Sequence, residues 1–179
     1  MNKNFAIVAL LVALVAVTLY SFPLVTTRET AKKLSFNSVV CVYKNDEQVG
    51  ECTHNTMMNT GLNWTRDLIG NAGASGAVNV IGLANGTSAE VATLTDLNAR
   101  ITDCGLQLIA GTYTVQTVSQ GNWSISKVFT STCANEVVNT TGLYNSTAPG
   151  TMFAGKNFEA SVTLQSSDQL NVTWYVWVS

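Results

Sequence analysis

From Phe5 to Tyr20 the chain reads FAIVALLVALVAVTLY, without a charge, a glycine or a proline, and the single cation Lys3 precedes it. The run suits a secretory signal, whose apolar region spans ~7–15 residues, or a short membrane segment, which wants ~20. The length does not decide; the cleavage site is the better test, and it is poor, which favours retention of the run. Leu14-Val15-Ala16 puts a bulky residue at the outer position, Ala16-Val17-Thr18 puts a Thr next to the cut, and no A-x-A occurs.

Past the run, Val17, Tyr20, Leu24, Thr27, Ala31 and Leu34 recur at helical spacing, and Glu29 stands four residues before Lys33. The pattern predicts one long apolar helix from about Asn4 to Leu34, kinked at Pro23, which removes a backbone hydrogen bond. Arg28, Lys32 and Lys33 outnumber Lys3, a bias that by the positive-inside rule would hold the rest of the chain in the cytoplasm. The cysteines and the polar text beyond Leu34 argue for the outside, where a dedicated export or assembly route would have to take it.

Residues 35–179 have the length of one ordinary domain with a substantial core. Only 11% of the chain is charged while 46% is hydrophobic, so Thr, Asn and Ser must solvate the surface. The 9 basic and 11 acidic residues form neither a basic stripe nor an acidic tail, which speaks against nucleic-acid binding.

Cys41, Cys52, Cys104 and Cys133 are an even number in an apparently exported chain, so disulfides are the first reading. Without a C-x-x-C pair, and with His54 the only histidine, zinc is a poor second choice. Ser35–Tyr43 and Val49–Cys52 read as a hairpin about Asn45-Asp46-Glu47, with Cys41 and Cys52 equidistant from Asp46-Glu47; Cys104 with Cys133 follows by elimination.

Thr60–Gly70 is a short helix candidate with Thr60 as cap. Strands are expected at Val78–Leu83, Gly105–Ile109, Tyr113–Val118, Trp123–Thr130, Val137–Tyr144, Thr151–Ala154 and Glu159–Leu164, with Ser88–Arg100 a loop or short helix. The strongest strand signal is Leu170–Ser179, where Leu170, Val172, Trp174, Val176 and Val178 alternate with Asn171, Thr173, Tyr175, Trp177 and Ser179. The expected class is α+β, mainly β: a long N-terminal apolar helix over residues 1–34, then one β-sandwich-like head over 35–179.

Catalysis finds little support, since His54 has no second histidine and neither G-x-S-x-G nor H-E-x-x-H occurs. No facing carboxylate pair is visible for glycoside hydrolysis, and Asp96 and Asp103 are too scattered for calcium. No enzyme, cofactor or metal is expected. Six N-x-S/T sequons, at Asn63, Asn85, Asn122, Asn139, Asn145 and Asn171, are possible glycan acceptors, of which Asn85 and Asn145 fall in expected loops. Tyr175 and Trp177 offer either a sugar-stacking platform or aromatic packing against a neighbour.

The apolar run, Pro23 near the middle of the expected helix, and the polar half with Arg28, Glu29, Lys32 and Lys33 together resemble a type IV pilin or related archaeal pilus subunit. No Gly follows the basic residue ahead of the run and no Glu stands in its first turns, which departs from that pattern. The resemblance implies an extracellular filament on the cell surface, serving adhesion or biofilm. Identical subunits would pack Phe5, Ile7, Val8, Leu10, Leu11, Val12, Leu14, Val15, Val17, Leu19 and Tyr20 into its core, after a stage in the membrane. A second filament class, similar to archaeal threads, would remove the signal and insert Phe22, Leu24 and Val25 into the next subunit by strand addition, although Pro23 is a poor donor residue. A third reading is a membrane-anchored surface or virion protein whose β-head binds glycans or a partner.

Overall fold

The computed structural model describes residues 35–69, 77–116, 122–147 and 150–178, and the chain divides into two compact units, Met1–Lys33 and Leu34–Ser179. The expected α+β class with a long N-terminal helix is corrected. Two antiparallel sheets make the fold mainly β, and the one helix among the described residues, α1 (Asn59–Ile69), has 11 residues. No helix there is long and apolar enough to cross a membrane. The physical reason is in the text beyond Ser35, where Val, Ile, Thr and aromatics alternate and Gly, Asn or Ser interrupts each run before a helical period can extend. The stretch Asn4–Leu34, with the proposed assembly residues Phe5–Tyr20 and the donor residues Phe22, Leu24 and Val25, lies outside the described residues.

Among the described residues eleven strands follow one another: β1 (Phe36–Lys44), β2 (Glu47–Gln48), β3 (Thr53–His54), β4 (Thr56–Met57), then α1, β5 (Val80–Ala84), β6 (Ile109–Ala110), β7 (Thr112–Val115), β8 (Trp123–Thr130), β9 (Glu136–Tyr144), β10 (Met152–Leu164) and β11 (Gln169–Val178). The first sheet has the order β2-β1-β11-β8-β7, with β3 also on β1, and the second has the order β4-β10-β9-β5-β6. The two expected strands Thr151–Ala154 and Glu159–Leu164 are one, β10, interrupted by a register shift between Asn157 and Val162. Of Gly105–Ile109 only Ile109 is strand. Ser88–Arg100 is irregular apart from the end residue Arg100, which bridges to Ala84.

The alternation in β11 builds the main core. Leu170, Val172, Trp174 and Val176 are buried and face Val138, Leu143, Val162 and Leu164 of the second sheet within one apolar cluster. Every described member of that cluster lies beyond Ser35, so the head carries its own core.

A second cluster lies on the opposite side of β9 and β5, where Val80, Ala84, Tyr144 and Met152 meet Met58 and Leu97. Gly82 stands opposite Gly142, and a Cβ at either would come within 2.9 Å of the Tyr144 ring. The paired glycines therefore let the ring lie across the sheet, and segment 85–108 closes over it.

Candidate functional site

The structure joins Cys41 to Cys52 and Cys104 to Cys133, with Cα separations of 4.4 and 5.3 Å, the same pairing that the hairpin and elimination favoured. Two such bridges belong to an oxidising, extracellular or secreted environment. The local reason for the first pair differs from simple equidistance. Asn45 and Asp46, both at positive φ, form a two-residue turn that sets Tyr43 opposite Gln48. Continued strictly, that register would put Gly50 opposite Cys41. By β3 the partners are Val40 with Thr53, a shift of two residues absorbed around Gly50 (φ 68) and Glu51, and it is this shift that brings Cys52 across from Cys41.

At the second bridge, Cys104 and Gly105 both have positive φ, and the turn lets Thr132 donate its N–H to the Cys104 carbonyl at 3.0 Å. Cys104, Cys133 and Glu136 hold ligand atoms within 4.8 Å of one another. Both sulfurs are spent in the disulfide, so one carboxylate remains and the group is not a metal site.

The carboxylates singled out by geometry are tied to structural partners. Asp96 accepts from the Tyr144 hydroxyl at 2.7 Å and pairs with Arg100 at 3.0 Å, while the Leu97 N–H donates to the same hydroxyl at 3.3 Å. Burial, then the hydrogen bond and charge of Asp96, push the Tyr144 pKa far above its ordinary value.

Glu90 pairs with Lys156 at 2.9 Å and accepts from the Asn157 N–H at 3.0 Å, and the Asn157 amide grips both the N–H and the carbonyl of Ser88. These contacts clamp segment 85–108 onto β9 and β10. By sequence the segment reads as a loop or short helix, although Asp96 and Arg100 at a spacing of four signal that it is pinned.

At one end of the sandwich, Asp168 accepts from the Gln165 N–H and the Asn45 amide, each at 2.9 Å, and pairs with Lys44 at 2.9 Å. Those donors, Gln165 first, hold its pKa at about 2.

The sequons divide by environment. Asn63 and Asn85 are exposed, the first on α1 and the second just past β5. Asn139 donates its amide to the Asn85 carbonyl and is followed by buried Thr140 and Thr141, while Asn171 lies on central strand β11 followed by buried Thr173. Asn145 accepts the Thr151 N–H at 2.8 Å and Asn122 precedes β8. Tyr175 is 40% exposed, whereas Trp177 is half-buried and meets the His54 ring edge-on at 6.0 Å. Trp177 thus packs against a neighbour within the head, while Tyr175 stays open to solvent.

A pit lined by Arg100, Ile101, Thr102, Gln107, Leu108 and Thr147 encloses about 210 Å³, below the ~300–1,000 Å³ of small-molecule sites. No family profile, curated protein or solved structure matches the chain.

Proposed function

We propose that this protein is a structural subunit of an extracellular filament, with the disulfide-fastened sandwich as its outward head and the apolar run Phe5–Tyr20 as the segment through which copies assemble. The observation that carries the reading is the division of labour along the chain. The described core residues and both bridges lie beyond Ser35, while the sequence ahead of them carries a sixteen-residue uncharged run whose burial needs an apolar partner. Burying such a run supplies the drive to associate, and a contact that does not close on itself propagates into a fibre. The test is electron microscopy of the purified full chain alongside V12D and A16D. Fibres from the wild type and none from the variants are expected, because an unpaired carboxylate in an apolar contact is costly. Fibres from all three would overturn the assignment.

One observation counts against strand donation at the start of the head and leaves a second reading beside the first. Strand β1 is paired with β11 on one side and with β2 and β3 on the other, so the first strand of the head has no vacant neighbour for a donated strand to fill. A membrane-anchored surface or virion protein, in which the apolar run only tethers a partner-binding head, fits that completeness equally. Full chain that floats with vesicles as a monomer and forms no fibres would select it.

A further inference from the structure

The two sheets have four edges, and three of them are blunted. The first sheet ends on one side at β2 and β3, two residues each, beside Asp46, Glu47 and the Cys41–Cys52 bridge. The second ends at β6, two residues, and at β4, which covers only Ala154 and Gly155 of β10 and leaves beyond it a stretch of β10 that carries Lys156 and Glu159. Short strands, charges and covalent ties are the usual protection against edge-to-edge association. The fourth edge, β7, carries no charge and no covalent tie, and at four residues it is twice the length of the other edge strands. It runs four residues, Thr-Tyr-Thr-Val, all exposed, and among the described residues no strand pairs with its outer side. No charged residue occurs anywhere from Cys104 to Ser126.

The register says which way the side chains of β7 go. Tyr113 is paired with Ile125 and Val115 with Trp123, and Ile125 is fully buried in the main core. Tyr113 and Val115 therefore share the core-facing side of the sheet, yet β7 overhangs the sandwich and leaves them 56% and 60% exposed. Thr112 and Thr114 lie on the other side.

We propose that this edge pairs antiparallel with the same edge of a second copy, about a two-fold axis at Thr114. In that register each Tyr113 stands opposite the partner copy's Val115 and Thr114 stands opposite its twin. Aromatic against β-branched and Thr against Thr are both stabilising cross-strand pairs. The axis keeps the core-facing sides of both copies together, so the apolar side chains left uncovered at one overhang are covered by the other. A chain of net charge −2 with a neutral edge meets little repulsion. Four residues per copy make a small interface, so the pairing is weak and concentration-dependent. The head alone makes the contact, independently of how the apolar run assembles.

The test uses a chain beginning at Ser35, followed by sedimentation velocity up to ~1 mM. A reversible monomer–dimer equilibrium is expected. T114K or T114E alone sets like charges opposite one another and should weaken association by at least ~10-fold, while an equal mixture of the two should restore dimers. An unchanged thermal midpoint in each variant verifies its fold. A wild type that stays monomeric throughout, or a mixture of folded variants that does not associate, overturns the proposal. So does tight capture of a Ser21–Arg28 peptide that T114K abolishes, because the edge would then belong to a donated strand.

Discussion

Two side chains show how single residues set the pH limits of this head. Asp168 has a folded pKa of about 2 against an ordinary 3.8, so its contribution to stability is present above pH 3.8 and is lost as pH falls through the folded value. D168N should therefore be less stable than the wild type at neutral pH, and the gap in melting temperature should close between about pH 4 and pH 2. Tyr144 acts at the other extreme. Its pKa is raised above the ordinary 10.0, so its contribution is full below pH 10 and declines as pH rises further. Tyr144→Phe loses a hydrogen bond to a carboxylate, which should cost about 1.5–3 kcal/mol at pH 7. Urea unfolding from pH 8 to 11.5 should show a decline in the wild type that the variant lacks in part.

At the scale of elements, the two disulfides do unequal work. Cys104–Cys133 spans 29 residues and ties the turn before β6 to the β8–β9 connection, whereas Cys41–Cys52 spans 11 within one hairpin. Loop-closure entropy gives about 3.6 kcal/mol for the first and about 2.8 kcal/mol for the second. Replacing each pair by serines and measuring urea unfolding should reproduce that order. The larger loss should go with Cys104 and Cys133, whose bridge also holds one end of segment 85–108 and its covering of Tyr144.

For the whole molecule, the decisive experiment separates head from run. A chain beginning at Ser35 should fold cooperatively, because the described core residues lie beyond that point, and should form no fibres. The full chain should form them, and V12D should not. A head that unfolds without the preceding residues, or is rescued by a Phe22–Val25 peptide, would transfer assembly to strand addition.

Much of the head was legible because period-two alternation is a local property. The boundaries of β8 and β11 could be read from Trp123–Thr130 and from Leu170 onward, and the turn at Asn45-Asp46 from residues that tolerate positive φ. The bound of one domain beyond residue 34 followed from length alone, and the four cysteines pointed to an oxidising compartment. Only the tertiary structure decided that β10 is one strand carrying an irregularity, that Gly50 and Glu51 shift the register to bring Cys52 to Cys41, and that Gly82 and Gly142 clear space for Tyr144. It also decided that Thr112–Val115, which reads locally like any other strand, is an edge among the described residues, since that depends on which strands pair with it. Local text sets the conformations a segment prefers; register, sheet order and burial are relations between distant segments, which periodicity does not encode.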